Sequence, residues 1–99
     1  MNKIKTRVFD TANYLGSEED ITEYLRQVIE EGDPIDLGAA LGAIARTRGM
    51  AQLARDTGLS RESLYKSLSG ERAPRSDTLF RVMKALGIKL TLQTVSLPA

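Results

Sequence analysis

Arg61, Glu62, Ser63, Tyr65 and Lys66 crowd one short stretch in which Leu64 and Leu68 stand four apart. On a helix the two leucines share a face and turn inward, which leaves the polar residues pointing out. Outward polar groups of these types are suited to reading hydrogen-bonding edges. The Arg61 guanidinium is a planar fork that matches O6 and N7 of guanine, and the Glu62 carboxylate accepts from a cytosine amino group. Ser63 and Lys66 donate to bases or phosphates, and Ser60 and Tyr65 complete the candidate base-contact set. Arg46, Arg48, Arg72 and Arg75 flank the stretch and are the candidate phosphate contacts, because Arg and Lys supply most contacts to a nucleic-acid backbone. The competing reading is solvated surface for Arg61 and Lys66, and half-buried packing for Tyr65.

Other chemistry starts from a weak position. The 99 residues include no cysteine and no histidine, which removes disulfides, thiolate catalysis and the commonest general base and metal ligand. Glu18, Glu19, Asp20 and Glu23 gather at one helix start without a partner base, so no enzyme and no cofactor is expected. Aromatics make up 5% of the chain, too few for a platform that stacks single-stranded bases. No apolar run reaches the roughly 20 residues of a membrane span, and the polar start Met1-Asn2-Lys3 lacks a secretory signal, so a cytoplasmic protein is expected. The net charge of +1 conceals a division. Residues 1–40 sum to −5 and residues 41–99 to +6. Two differently charged partners would suit such halves, and so would halves that neutralise each other within the fold.

The length predicts a single domain over 1–99, with an N-terminal arm at 1–16, a helical body at 17–87 and a strand at 88–95. Within the arm, Val8, Phe9, Tyr14 and Leu15 are expected to pack on the body. Ser17 is expected to cap a first helix whose stripe is Ile21, Tyr24, Leu25, Val28 and Ile29, ended by Gly32. Its other face carries Glu19, Glu23 and Glu30 with Arg26, a face of the kind that is usually just solvated and, in the sharper reading, a docking surface. Asp33-Pro34 opens a second helix that buries Leu37, Leu41 and Ile44, while Gly38 and Gly42 would let a neighbour approach closely. Residues 50–70 have helix-turn-helix spacing. Leu53 and Ala54 set an anchor beside a small residue, Gly58 falls where the turn needs positive φ, Leu59 plugs the turn and Ser60 caps the next helix. Ser76 is expected to cap a fifth helix with Leu79, Val82, Met83 and Leu86 inward, stopped by Gly87. Ile88 to Val95 alternates apolar with polar and reads as a strand, in which Ile88, Leu90 and Leu92 are the candidate dimer contacts.

Gly49 through Gly70 resembles the phage-repressor and Cro-like (XRE) helix-turn-helix. The likeness extends over most of the chain: Phe9-Asp10, Tyr14-Leu15, Tyr24-Leu25, Gly32-Asp33-Pro34, Ala40 to Arg46, and Leu79 to Leu90. In that wider pattern the chain resembles addiction-module antidote proteins, the HigA-like antitoxins. Two positions depart from the pattern: Met50 stands where many repressor motifs carry Gln, and Arg72-Ala73-Pro74 stands where relatives often have Asn before the proline. The resemblance implies a mainly α, five-helix repressor-like (lambda-repressor/Cro-like) domain with a C-terminal strand. It also implies a homodimer that represses its own operon through operator DNA and neutralises a RelE/HigB-like toxin. A freestanding repressor without a toxin would share fold and DNA site. A helical protein-binding domain that ignores DNA is the third reading, separated from the others by weak, sequence-blind binding.

Overall fold

A computed structural model describes residues 16–98, so of the expected arm only Gly16 falls within it; Val8, Phe9, Tyr14 and Leu15 lie outside the described residues. Five helices follow one another: α1 (Glu18–Glu31), α2 (Pro34–Arg48), α3 (Met50–Thr57), α4 (Arg61–Ser67) and α5 (Ser76–Ala85). Local chemistry marks most of their ends. The Ser17 hydroxyl accepts from the Asp20 N–H at 3.1 Å, and the Asp33 carboxylate accepts from the Ile35 N–H at 2.9 Å ahead of Pro34. Each bond satisfies an amide that the first helical turn leaves open.

α1 lies on α2, and α3 packs against α2, α4 and α5. The most deeply buried large side chains are Leu41 and Ile44 of α2, Leu64 of α4, Leu68 just past it and Val82 of α5. One cluster therefore joins the short helix α4 to side chains of α2 and α5. The stripes expected for α1 and α5 point into the same cluster, with one exception. Ile29 is 43% exposed, because the seam of α1 narrows to Ile21, Leu25 and Val28 and leaves Ile29 at its edge.

α3 and α4 meet at the turn 58–60, an arrangement compatible with a helix-turn-helix. Gly58 has φ +75°, and no atom lies within 4 Å of a Cβ built on it. A side chain there would meet open space, so the cost of one is purely conformational. Gly58→Val is expected to lower the unfolding free energy by at least about 1–2 kcal/mol, the penalty for an L-residue in the left-handed region, with Gly58→Asn costing much less. Urea denaturation of the two variants measures the difference.

Two further expectations need correction. Ser76 does not cap α5: it is the first helical residue, and Arg75 holds the cap position with no side-chain hydrogen bond, because a guanidinium has nothing to accept with. More substantially, no strand occurs among the described residues, and 88–95 is irregular chain. Alternation at period two is satisfied by any extended segment, whereas a strand also needs a partner ladder for its backbone groups. Of the expected strand contacts, Ile88 instead packs on the core, Leu90 is about half exposed and Leu92 is 98% exposed.

The tail departs from α5 through a two-bond stop. The Gly87 N–H donates to the Lys84 carbonyl at 3.1 Å and the Ile88 N–H to the Met83 carbonyl at 2.8 Å. This is the pattern that commonly closes a helix on a left-handed residue, here Gly87 at φ +77°.

Candidate nucleic-acid interface

Leu64 is 0% and Leu68 1% exposed, and this inward pinning decides what α4 shows to solvent. Ser60, Arg61, Glu62, Ser63, Tyr65 and Lys66 are all exposed. The Ser60 hydroxyl accepts from the Ser63 N–H at 3.0 Å, so both serines of the candidate set also shape the helix start. No described residue covers this tip.

The turn beneath it is held by a residue that spacing alone did not single out. The buried Thr57 hydroxyl donates to the Leu53 carbonyl at 2.8 Å and accepts from the Leu59 N–H at 3.2 Å. One side chain thus ties the last turn of α3 to the residue that plugs the turn. The only sequence signal was a hydroxyl residue before Gly, a weak turn marker. At the far end of α4 the Ser69 hydroxyl donates to the Lys66 carbonyl at 3.0 Å and accepts from the Glu71 N–H at 3.2 Å, which leads the chain into the basic loop.

The four flanking arginines are placed differently from one another. Arg46 is exposed, and its Nη1 lies 3.4 Å from where a Cβ on Gly42 would stand, close to Leu68 at the exit of α4. Arg72 is exposed on the loop. Arg75 lies 3.3 Å from Asp77 with both side chains well exposed, a pair of the kind that contributes at most about 1 kcal/mol and releases its arginine easily. Arg48 is exposed and also bonded within the fold. Its Nη1 donates to the Leu86 carbonyl at 2.9 Å, capping the end of α5. Arg48→Ala is accordingly expected to cost about 1–2 kcal/mol in urea denaturation.

Met50, one of the two positions that depart from the repressor pattern, is buried in the core. Gln52 belongs instead to an exposed chain on α3, accepting from Arg55 at 2.8 Å and donating to Asp56 at 2.8 Å.

On α1, Glu19 is exposed and Glu30 lies 3.9 Å from Arg26. Glu23 is engaged within its own helix. Its carboxylate accepts from Arg26 at 2.7 and 3.2 Å and from Gln27 at 3.0 Å. The hydrogen bonds from Arg26 and then Gln27 hold it below the usual carboxylate range. A lowered folded-state pKa means that its contribution to α1 is present at neutral pH and fades as pH falls through that lowered value.

A second apolar feature lies off the expected stripes. Phe80 is 60% exposed and lines an open groove with Met83, Lys84 and the start of the tail. It sits one position away from the inward stripe of α5, and an aromatic there was the available signal.

These features define a small helical domain with an uncovered, hydrogen-bonding helix tip. A family model described as "Probable addiction module antidote protein" matches residues 5–94. The chain belongs to that family. It is also 48% identical over 85 residues to an uncharacterised protein of Haemophilus influenzae (strain ATCC 51907 / DSM 11121 / KW20 / Rd), covering 86% of this chain and 88% of that protein. No solved structure matches. An antidote implies a cognate toxin, so the family supplies one partner. Among the described residues no helix is long and apolar enough to cross a membrane.

Proposed function

We propose that the chain is the antitoxin of a type II toxin–antitoxin module, which neutralises a RelE/HigB-type toxin by binding it and represses its own operon by sequence-specific DNA binding. The observation that carries the DNA half is the exposed set Ser60, Arg61, Glu62, Ser63, Tyr65 and Lys66 on a helix pinned by two buried leucines. In a helix-turn-helix this end enters the major groove, where its first residues reach base edges. Arg46, Arg48, Arg72 and Arg75 contact phosphates in this reading, Arg48 while also bonded to the Leu86 carbonyl. The toxin half is supported by the antidote family and by the acidic face of α1, with Glu19, Glu23 and Glu30 as contacts for a basic partner.

Co-expression with the product of the adjacent gene tests both halves. A short basic protein should co-purify, and the complex should bind the shared promoter in preference to a scrambled duplex. Promoter binding without a partner gene would leave a freestanding repressor. Co-purification without promoter preference would remove the DNA-reading role.

A palindromic operator places two recognition helices about 34 Å apart, so the DNA-bound form is a homodimer in this reading. The exposed apolar tail residues Leu90 and Leu92 are assigned to that contact. Leu90→Asp combined with Leu92→Asp in the full chain is expected to give a monomer by sedimentation. A fully retained dimer removes the tail from the interface.

A further inference from the structure

The glycines of α2 do more than tolerate a neighbour. A Cβ on Gly42 would stand 2.5 Å from the Leu68 carbonyl oxygen and 3.1 Å from the Leu68 Cβ. A Cβ on Gly38 would stand 3.0 Å from both Cδ and Cγ of Pro74 and 3.4 Å from the Ser67 carbonyl oxygen. Both contacts fall on the chain just beyond the DNA-facing tip: Leu68 ends α4, and Pro74 sits in the loop that carries Arg72 and Arg75. The two obstructions differ in kind. At Gly42 the obstacle is backbone, which no side-chain change removes, whereas at Gly38 it is chiefly a proline ring.

We propose that Gly42 and Gly38 are positioning residues for the DNA-reading surface, Gly42 seating α4 through Leu68 and Gly38 seating the basic loop through Pro74. The inference rests on the DNA-binding reading given above. α4 has seven residues and spans about 10 Å at 1.5 Å per residue. With Leu64 as a buried pivot near its middle, a push on Leu68 is carried to Arg61 with little loss. Relieving the contact at Gly42 takes a shift of about 1 Å, from 2.5 Å to ordinary van der Waals distance. Positioned polar groups tolerate only about 0.5 Å before their hydrogen bonds degrade. Base contacts are directional and are lost through misalignment, whereas a phosphate contact is lost only when its side chain is carried out of reach, and then equally for every sequence. A substitution at Gly42 therefore blunts sequence preference, and one at Gly38 weakens binding to every sequence.

The test measures binding of the full-length protein to the duplex upstream of its own operon and to a scrambled duplex. Anisotropy is followed over a series of salt concentrations, at a temperature where circular dichroism shows each variant folded. The readout is the ratio of the two affinities. A role in stability alone lowers the folded fraction and weakens both duplexes equally, which leaves the ratio untouched. Gly42→Ala is expected to cut the ratio by at least about tenfold, the scale of one lost bidentate base contact, with the salt slope retained. Gly38→Ala is expected to weaken both duplexes alike and flatten the salt slope, and Pro74→Ala added to it is expected to restore both. The wild-type ratio in folded Gly42→Ala, or no recovery in the Gly38→Ala/Pro74→Ala double variant, overturns the proposal. Should Gly42→Ala fail to fold, the double variant decides it. A wild-type protein that fails to distinguish the two duplexes overturns the DNA reading itself, an outcome visible before any variant is made.

Discussion

Leu64→Ala is expected to remove about 2–5 kcal/mol of stability, the range for deleting a buried leucine and leaving a cavity. Leu64 is 0% exposed and packs in the cluster formed with Leu41, Ile44, Leu68 and Val82. Its helix, α4, is too short to hold itself together, since isolated helices below about 12–15 residues are marginal in water. Tertiary anchoring must therefore supply nearly all of its order, and Leu64 is the residue within α4 that is fully buried. A domain of this size has a total of about 5–15 kcal/mol to lose. The midpoint of thermal unfolding should fall by more than about 10 °C. Leu64→Met, which keeps the volume, should cost less than about 1.5 kcal/mol. A loss below about 1 kcal/mol for the alanine variant would show that α4 is held by something other than this leucine.

Arg61→Ala should behave in the opposite way. The side chain is exposed, so the folded state should be unaffected in denaturation, while discrimination of the operator falls by about 1–3 kcal/mol and relaxes at one base pair. Arg72→Ala is the matched comparison. A phosphate contact carries no sequence information, so binding to all duplexes should weaken together and the salt slope should drop by about 0.9. Affinities for a set of single-base operator variants separate the two patterns. Unchanged discrimination in Arg61→Ala would place the groove-facing residues elsewhere.

The middle of the chain was largely legible because several weak local signals agreed there. Gly58 at the turn, Ser60 three residues before the amide it caps, and leucines four apart each constrain the same helix, and the observed φ of +75° and the 3.0 Å cap bond match them. The close approach at Gly38 and Gly42 was readable as permission for a neighbour. Which neighbour was not, since Leu68 and Pro74 lie far along the chain. Arg48 shows the same limit, because nothing near it in the chain announces its bond to the Leu86 carbonyl, 38 residues away. At 88–95 alternation gives the tendency of single residues, whereas pairing belongs to two segments at once. Thr57 was unreadable for a related reason, since its hydroxyl acts only once α3 has formed beneath it.

The central claim is that the outward tip of α4 touches bases. Amide chemical shifts of the full-length, isotope-labelled protein, followed while its own promoter duplex is added, test this most directly. The largest changes are expected at residues 60–66, smaller ones along 70–75, and much weaker changes at 60–66 with a scrambled duplex. Changes centred on α1, or the same pattern with either duplex, would contradict it.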